Sequence, residues 1–561
     1  MALSNAPPPG LNPGQVSLRS TPDNVAKVNS PGYVRKPGPS PLLAGGQGAG
    51  LSIEGAARTA DRYLRLASLT ASSDAGRWSV VAQELGDAQR LLDFPHPDDI
   101  FSAFAATVDD PSPSRRSRVI GHVQDFLAQS ARTQTQSSQL GEALDARITT
   151  DVDRANDLLG QISHLNAEIS RAKLANGEAS DSESTQSQLV DELATLMNVR
   201  VAAKPHGGVV VRSAEGLLLA GDGQAATLSY NRADPTRGYV SVEPEGEMGF
   251  AQAIQITGGQ IAGLMELRDA TLPGMADQFT EFVSLTAELI NAAHNKTTSS
   301  PAPNLLAGRD TGLDLPTVIS GFTGGATIAV LGAAGADNGV VQHQVEIDFD
   351  AMTMTPGGGF TPANFLPVLN RALGGAASAS FTDGVLSLQG AAGTGVAIDE
   401  GGSMKEGRAF SHVFGMNDLI RFDGVSERNA RVARFKVEPA VAQDPMKLGL
   451  GVLDLSVAPG GRAITAEDRR GARLLGELGA TLGQYAAEVS GSVERQVQAA
   501  DARKNTALAI AKEANARREA VEGVNLNEEL ATMTTYQQAF SAAARMTQAA
   551  RGLSDMLAKI A

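Results

Sequence analysis

The stretch LGEALDARITTDVDRANDLLGQISHLNAEI, residues 140–169, decides the fold. Its apolar side chains recur every three or four residues, which places them on one face of an α-helix. They are Leu140, Leu144, Ile148, Val152, Ala155, Leu159, Ile162, Leu165 and Ile169. A helix that runs unbroken over residues 118–172 is about 80 Å long at roughly 1.5 Å per residue, which predicts an elongated rod. A narrow apolar stripe is not stable alone, so this helix must pack against another one.

The C-terminal part of the chain supplies candidate partner helices. Residues 462–561 contain no proline. One apolar stripe consists of Leu475, Leu478, Leu482, Tyr485, Val489, Val493 and Val497. A second stripe consists of Leu526, Leu530, Met533, Phe540, Met546, Ala550, Leu553, Leu557 and Ile560. The second stripe is nearly a heptad repeat, but Gln537 and Thr547 interrupt it, which favours packing against several helices over a two-stranded coiled coil.

The N-terminal end has a different pattern. Residues 1–50 hold 9 of the 26 prolines, which predicts an extended or disordered arm with at most a short helix over residues 14–28. From Tyr63 onward, helical spacing replaces this pattern. The apolar residues on one face of this helix are Trp78, Val81, Leu85, Ala88 and Leu92. Trp78 is the single tryptophan, and we expect it in the core.

The middle of the chain is typical of β-structure. Short apolar segments at residues 209–211 and 217–219 alternate with glycine turns, and residues 341–349 alternate apolar and polar side chains. One short helix is expected over residues 364–373. The predicted fold class is therefore multidomain α+β, an elongated rod with N- and C-terminal helical bundle or coiled-coil segments and a β-rich, glycine-rich outer domain. The predicted parts are the terminal segments at 1–50 and 505–561, the mainly helical rod domain at 51–305 and 425–504 with a small β part at about 199–262, and the β-rich outer insertion at 306–424.

Composition argues against several functional classes. Lys plus Arg number 47 against 62 Asp plus Glu, and the resulting net charge of -15 repels nucleic acid. The absence of cysteine favours a protein that travels unfolded and ends outside the cell, where stray thiols are a liability. Residues 1–10 lack the basic and apolar regions of a secretory signal peptide, and no apolar run approaches the roughly 20 residues of a membrane span. We therefore expect export by a dedicated machine and no membrane insertion.

The sequence shows no pattern typical of catalysis. The histidines are His96, His122, His164, His206, His294, His343 and His412. They form no H-E-x-x-H motif and no pair at i and i+4, and no cysteine is present to help bind zinc. Asp348 and Asp350 are expected on one face of a strand, where a solvated face is favoured over a calcium site. No phosphate loop and no Gly-x-Ser-x-Gly elbow occurs. We therefore predict no catalytic residue, no metal site and no cofactor, and expect that the chain is not an enzyme.

A short motif near the N-terminus predicts a turn. Residues 24–36 read NVAKVNSPGYVRK, which is typical of a helix end followed by an Asn-Ser-Pro-Gly turn. Pro31 is preset for the first corner of this turn, Gly32 is free to take positive φ, and Tyr33 follows as an apolar contact.

A second motif predicts the start of the last helix. Residues 523–529 read GVNLNEE, in which Gly523 ends one helix and Asn525 or Asn527 caps the next. The carboxylates of Glu528 and Glu529 favour the positive N-terminal end of that helix.

These two motifs together resemble the terminal signatures of bacterial flagellar axial proteins, and more narrowly the flagellar hook-associated protein 1 family, the first hook-filament junction protein. Internal segments extend the resemblance over most of the chain apart from about residues 306–405. They are IFSAFAATVDDPSPSRRSRVIGHVQDFLAQ (100–129), ISHLNAEISRAKLANG (162–177), QLVDELATLMNVRV (188–201) and FSHVFGMNDLIRF (410–422). The prolines of the first 22 residues depart from the family's uninterrupted N-terminal helix.

The resemblance implies a structural subunit of the bacterial flagellum that is exported unfolded and then joins hook to filament. The implied location is extracellular, on the flagellum, without a cleavable secretory signal peptide. The implied partners are other copies of the chain in a ring, the hook protein, the second hook-filament junction protein, a flagellar export chaperone and the type III export apparatus. The residues that the resemblance implies in assembly and export are Asn24, Val25, Asn29, Ser30, Pro31, Gly32, Tyr33, Gly523, Val524, Asn525, Leu526, Glu528, Glu529, Leu530, Met533, Tyr536, Phe540, Leu553, Leu557 and Ile560.

Two alternatives stay open at the level of sequence. The first is another axial protein, although the Asn-Ser-Pro-Gly-Tyr turn argues against the second junction protein and the long helix over residues 140–169 argues against the hook protein. The second is a secreted surface-binding protein or hydrolase that uses the outer domain at 306–424. A conserved polar cluster in that domain would favour the second alternative.

Overall fold

Long helices dominate the computed structural model of the protein, which describes residues 21–22, 24–26, 28, 50–91, 95–175, 179–221, 223–234, 237–244, 250–422, 432–457 and 459–560. The α-helices are, in chain order, α1 (Gly50–Leu91), α2 (Asp98–Asp109), α3 (Pro113–Leu174), α4 (Ser180–Leu196), α5 (Gly259–Glu266), α6 (Leu272–His294), α7 (Leu315–Ile319), α8 (Phe365–Leu373), α9 (Phe410–Phe414), α10 (Pro439–Gln443), α11 (Arg470–Glu522) and α12 (Leu526–Ile560).

Antiparallel sheets occupy the middle of the chain. The strands are β1 (Val199–Ala203), β2 (Val209–Ser213), β3 (Leu218–Ala220), β4 (Thr227–Asp234), β5 (Arg237–Glu243), β6 (Gln252–Ile254), β7 (Leu305–Ala307), β8 (Gly325–Gly332), β9 (Val341–Asp348), β10 (Thr353–Thr355), β11 (Gly358–Gly359), β12 (Ala377–Thr382), β13 (Val385–Gly390), β14 (Thr394–Asp399), β15 (Ile420–Phe422) and β16 (Phe435–Val437). The sheet orders are β1-β2-β3, β4-β5-β6, β11-β10-β9-β8-β14, β12-β13-β7 and β15-β16.

Helix α3 confirms the helix predicted over residues 118–172 and is longer, with 62 residues. It begins at Pro113, where the fixed φ and missing N–H of proline suit the first turn. Its predicted apolar stripe is buried except at Leu165, which is half-buried. Next to it, the polar side chain of Asn166 is 0% exposed, a position that the apolar pattern does not indicate.

The N-terminal helix begins earlier than predicted. Helix α1 starts at Gly50 and not near Tyr63, because residues 51–62 contain no proline and mostly good helix formers. Residues 21–22 and 24–26 are helical, as predicted for the segment 14–28. Apart from Val28 and Gly50, the other residues of the proline-rich arm lie outside the described part of the chain.

The chain divides into two compact units, which confirms the multidomain α+β class. The first unit contains Met1–Asp87, Gly141–Leu272 and Gln496–Ala561, and the second contains Ala88–Leu140 and Pro273–Arg495. Helices α1, α3 and α11 each contribute residues to both units. The three-part division predicted from composition stays a prediction.

In the first unit, asparagine side chains of α3 hold the small sheets. The Nδ2 atom of Asn166 donates to the carbonyl oxygens of Val209 (2.8 Å) and Gly221 (2.9 Å), while its Oδ1 accepts from the N–H of Val209 (2.7 Å). Asn156 makes the same pair of contacts with the backbone of Leu228, at 2.9 and 2.8 Å. These bonds satisfy strand groups that would otherwise be buried without partners.

In the second unit, sheets and helix α8 share a core rich in phenylalanine. The rings of Phe322 and Phe349 stack with centroids 4.9 Å apart, and Phe360 packs edge-on against Phe365 at 5.3 Å. Offset and edge-to-face pairs of this kind add to the stabilisation from apolar burial. The strand predicted over residues 341–349 and the helix predicted over residues 364–373 are β9 and α8.

The two aspartates considered for calcium do not share a strand face. Asp348 ends β9, and Asp350 lies in the turn beyond it. Asp348 Oδ1 accepts a hydrogen bond from the N–H of Ala351 at 2.8 Å, and Asp350 Oδ2 accepts one from the N–H of Gly324 at 3.1 Å. Asp348 therefore stabilises the turn itself, and Asp350 bonds the turn to the backbone just before β8.

Candidate assembly surface

The junction between α11 and α12 follows the predicted helix stop. Helix α11 ends at Glu522, and the N–H of Gly523 donates to the carbonyl oxygen of Glu519 at 2.7 Å. A Cβ at position 523 would lie 2.3 Å from that same oxygen. Glycine is therefore the residue that closes this helix end without displacing the backbone.

Asn525 is the residue that caps α12. Its Oδ1 accepts hydrogen bonds from the backbone N–H groups of Asn527 (3.1 Å) and Glu528 (3.4 Å), so the alternative cap at Asn527 is wrong. Both acidic residues stand in the first turn, as predicted, but they differ in burial: Glu528 is exposed, and Glu529 is only 2% exposed. Val524, between glycine and cap, is half-buried.

Helix α12 leaves apolar side chains in solvent. Leu526 and Leu530 are each 41% exposed, and Met546 is 74% exposed. Met533, Tyr536 and Phe540 are half-buried. The backbone at Leu553, Leu557 and Ile560 is helical, and the side chains there lie outside the described part of the structure. Exposed apolar groups repeated along one helix are typical of a surface that another protein element covers.

The N-terminal motif is only partly described. Asn24 is buried and Val25 is half-buried, and both residues are helical. The turn residues Asn29, Ser30, Pro31, Gly32 and Tyr33 lie outside the described residues, so the turn stays a prediction.

Helices α1 and α11 pack through a seam of alanines in the first unit. The buried members of the seam are Ala71, Ala75, Ala507 and Ala511. Trp78 is half-buried at its edge, so the expectation of a core tryptophan is wrong. The guanidinium groups of Arg503 and Arg77 lie 4.6 and 5.3 Å from the centroid of its ring. The reason is steric, since an alanine seam draws two helices close together and leaves no space for an indole between them.

Arg518 is an interhelical contact that the sequence reading missed. This buried residue of α11 makes a two-pronged ion pair with Asp191 of α4, in which NH1–Oδ1 and NH2–Oδ2 both measure 2.7 Å. A buried guanidinium requires a partner of this kind, because an unpaired charge would be costly. The two residues lie 327 positions apart, and no local pattern indicates their pairing.

In the second unit, the segment 410–422 is held by buried amides of helix α6 and of Asn295, which directly follows that helix. Asn291 exchanges two hydrogen bonds with the backbone of Ile420, at 2.7 and 2.9 Å. Asn295 Oδ1 accepts from the hydroxyl of Ser411 and the N–H of Asn417, both at 2.8 Å. These bonds fix the segment that resembles the family pattern.

Glu288 of α6 is the centre of a charged cluster beside a cavity of about 750 Å³. Its Oε1 lies 2.8 Å from NH2 of Arg408 and 3.3 Å from Nε2 of His412, and neither contact has hydrogen-bond geometry. Its Oε2 lies 3.6 Å from NH1 of Arg309. Burial by itself would raise the pKa of Glu288, but His412 and the two arginines overcome it and lower the pKa to about 2. The carboxylate is therefore charged at neutral pH and balances the cations around it.

Neither a metal centre nor a membrane span is found within the ranges that the structure describes. There, no three His, Asp or Glu side chains come together in a group that could hold a metal ion. No helix of those ranges has an apolar stretch long enough to cross a bilayer.

Two family models match the chain. A model described as the flagellar hook-associated protein FlgK helical domain matches residues 95–301, which include α2 to α6 and the two small sheets of the first unit. A model described as the flagellar basal body rod FlgEFG protein C-terminal matches residues 520–560, which include the Asn525 cap and α12.

Proteins named flagellar hook-associated protein 1 are similar to this chain, either over its full length or over part of it. The one from Salmonella typhimurium is 23% identical over 585 aligned positions, covering 100% of both chains. The one from Escherichia coli is 24% identical over 312 positions, covering 52% of this chain and 57% of the relative. The solved flagellar hook junction protein FlgK from Burkholderia pseudomallei matches with a TM-score of 0.48 and 15% identity, over 83% of this chain and 100% of that one. The helical-domain match and the full-length relatives together support the flagellar hook-associated protein 1 family for this chain.

Proposed function

We propose that this chain is a structural subunit of the bacterial flagellum that forms the junction between hook and filament by self-assembly of its terminal helices after export. The observation that carries the proposal is helix α12, which has a defined capped start and exposed apolar side chains at Leu526, Leu530 and Met546. Exposed apolar area is unfavourable in a free monomer, and burial against neighbouring copies removes it from water. The match to the rod C-terminal model falls on this same helix.

The proposed partners follow from the place of such a subunit. Other copies of the chain form a ring, the hook protein lies on one side of it, and the second hook-filament junction protein lies on the other. A flagellar export chaperone and the type III export apparatus handle the chain before assembly. The absence of cysteine and the net charge of -15 support an extracellular location on the flagellum without nucleic acid as a partner.

We also propose that the chain is not an enzyme. Two of its titratable side chains with strongly shifted pKa values are used as structural contacts. Glu288 balances neighbouring cations, and the buried ring of His294 is bonded to backbone groups on both nitrogens. Such bonding leaves neither group poised for proton transfer to a substrate.

The experiment that tests the function is complementation of a strain that lacks this protein. We expect that strain to carry hooks without filaments, and the full-length chain to restore filaments seen by electron microscopy. A chain truncated after Gly523 keeps both compact units apart from α12 and should fold but restore none. Filaments in the deletion strain without complementation would overturn the proposed function, and filaments with the truncated chain would overturn the role of α12.

A further inference from the structure

Helices α1 and α11 form a groove on the surface of the first unit, of about 340 Å³. Its lining includes Ala71, Asp74, Trp78, Arg503, Ala507 and Ile510. Ile510, which lines the groove, is 57% exposed, and Leu508, which lies outside the lining on the same helix, is 46% exposed. The groove is therefore an open apolar surface with charged edges.

At and beside the groove, the small apolar side chains of the seam are buried, whereas the large apolar side chains are partly exposed. The buried seam contains alanines, whereas the large side chains of Trp78, Leu508 and Ile510 are half-buried or exposed. Burial stabilises in proportion to apolar area, so these three side chains leave apolar area in water that a covering partner could bury. A pair that only needed to hold itself together would place its large side chains inside.

The charges at the groove indicate what covers it. Arg503 lies over the Trp78 ring, and no carboxylate of the described residues lies within ion-pair distance of its guanidinium. Tryptophan and arginine are the residue types that contribute most to protein interfaces, and a stacked guanidinium keeps its N–H groups free for a carboxylate. The groove therefore fits a partner helix that brings acidic side chains.

Helix α3 of the same unit offers such a face. Asp153 and Asp157 are one helical turn apart and exposed, and neither has a cationic partner in the part of the chain that the structure covers. The cation beside them in the sequence, Arg154, is paired with Glu192. The chain thus has an unpaired acidic face on α3 and an unpaired cation over the groove.

We propose that the α1–α11 groove of one copy receives the Asp153–Asp157 face of a second copy. The proposal rests on the self-assembly of the proposed function and names the surfaces that carry it. Because the contact joins two different faces, it is head-to-tail. Contacts of this type close into a ring when the rotation between neighbouring subunits allows it. The groove supplies apolar area and Arg503, and the incoming helix supplies the carboxylates.

The absence of cysteine allows a direct test by cross-linking in cells. Two single-cysteine chains, Thr506→Cys in the groove and Asp157→Cys on α3, are expressed together in the deletion strain and oxidised. We expect disulfide-linked dimers from the mixture and about tenfold fewer from either chain alone, because only the mixture pairs the two faces. The matched control replaces Thr506→Cys by Arg200→Cys, on an exposed position of β1. Dimers that are no more abundant than with this control would overturn the proposal.

Charge reversal gives a second, independent test. Arg503→Glu should lower the number of filaments per cell about tenfold or more, because like charges then meet at the contact. Adding Asp153→Lys and Asp157→Lys to the same chain should restore filaments. Lys512→Glu makes the same charge change at another exposed position of α11 outside the groove and should have no effect.

The outcomes separate this proposal from the proposed function. If Arg503→Glu assembles as well as the wild type, while the chain truncated after Gly523 does not, the groove is not the contact and the function stands. If the wild-type chain itself fails to restore filaments, the function fails. Circular dichroism of the purified Arg503→Glu chain shows that it folds, and a normal spectrum with lost filaments supports the groove.

Discussion

The imidazole of His294 accepts a hydrogen bond from the backbone N–H of Gly449, with Nε2 3.1 Å from the amide nitrogen. Its other ring nitrogen, Nδ1, lies 2.6 Å from the carbonyl oxygen of Asn417. A carbonyl oxygen cannot donate, so the proton is on Nδ1 and the ring is neutral. Burial lowers the pKa of His294 to about 4, against the opposing effect of the Asn417 contact.

This arrangement makes stability depend on pH. We expect the free energy of unfolding to fall as pH is lowered from about 6.5 to about 4. In that window the unfolded imidazole binds a proton that the folded one does not, so acid favours unfolding. The pKa difference corresponds to roughly 3 kcal/mol, which denaturant titrations followed by circular dichroism can measure.

Two variants test whether His294 is the cause. His294→Gln keeps a donor and an acceptor but does not titrate, so the acid-induced loss of stability should become smaller. His164→Gln changes a side chain that is 71% exposed and should leave the pH dependence as it is. An unchanged slope in the His294→Gln protein would contradict the assignment.

Glu400, in the same unit as His294, should make stability fall as pH rises, which is the opposite of the effect of His294. Burial raises the pKa of this carboxyl to about 7, although Ser411 and Ser403 donate hydrogen bonds to its Oε2. The folded state therefore holds a proton that the unfolded state has lost, and the contribution of Glu400 to stability disappears as pH rises from about 4.5 to about 7.

The variant Glu400→Gln should stabilise the protein above pH 7. It removes a buried charge that the wild type carries there, and the gain should approach roughly 3 kcal/mol, while the two proteins should be equally stable near pH 4. Thermal unfolding at the two pH values measures the difference. Glu406→Gln, at an exposed position nearby, is the control and should change nothing. A Glu400→Gln protein that is less stable than the wild type at high pH would show that the charged carboxylate of Glu400 stabilises the fold.

The helices were largely predictable because their signals are local. The apolar positions of α3 recur within each turn, and the start of α12 is marked by a glycine, an asparagine and two glutamates within seven residues. The alanine seam of α1 and α11 was not predictable, since alanine gives little contrast between the two faces of a helix. The position of Trp78 was predicted wrongly because the helices approach so closely at this seam that no space is left for its indole.

Sequence patterns could not predict the polar contacts, for another reason. Asn166 bonds to the backbone of Val209, 43 positions away, and Asn291 bonds to the backbone of Ile420, 129 positions away. Their partners are peptide groups, which every residue carries, so no residue type marks the contact. Only the folded chain brings these groups together.

Asn166→Ala should be strongly destabilising. The amide is fully buried and uses all four of its hydrogen-bonding positions, the fourth being a bond from Nε2 of Gln186 to Oδ1 at 3.0 Å. Its removal leaves backbone groups of β2 buried without partners, so we expect a loss of about 3 kcal/mol or more. Asn156→Ala removes the similar contact to Leu228 at a half-buried position and should cost about 1 to 2 kcal/mol.

Chemical denaturation of the Asn166→Ala and Asn156→Ala proteins measures which of them loses more stability. Asn166→Asp offers a further check, because a carboxylate accepts hydrogen bonds but cannot donate to the carbonyl oxygens of Val209 and Gly221. It should therefore be at least as destabilising as Asn166→Ala. Equal stability of the Asn166→Ala and Asn156→Ala proteins would show that burial of the amide is not what matters.

The cap at Asn525 links the local chemistry of α12 to assembly. Asn525→Ala removes the side-chain acceptor for two N–H groups of the first turn, which should cost about 1 kcal/mol of helix stability. We expect faster hydrogen exchange of the first-turn amides of α12, and fewer filaments in the complemented deletion strain, because a frayed helix must be ordered again on assembly.

Asn525→Asp keeps the acceptor and adds a favourable charge at the helix N-terminus, so it should exchange and assemble like the wild type. Asn527→Ala removes an exposed side chain that accepts no capping bond and should also behave like the wild type. If Asn525→Ala speeds exchange but leaves filament number unchanged, the first turn of α12 is not part of the assembly contact, and the contact must begin further along the helix.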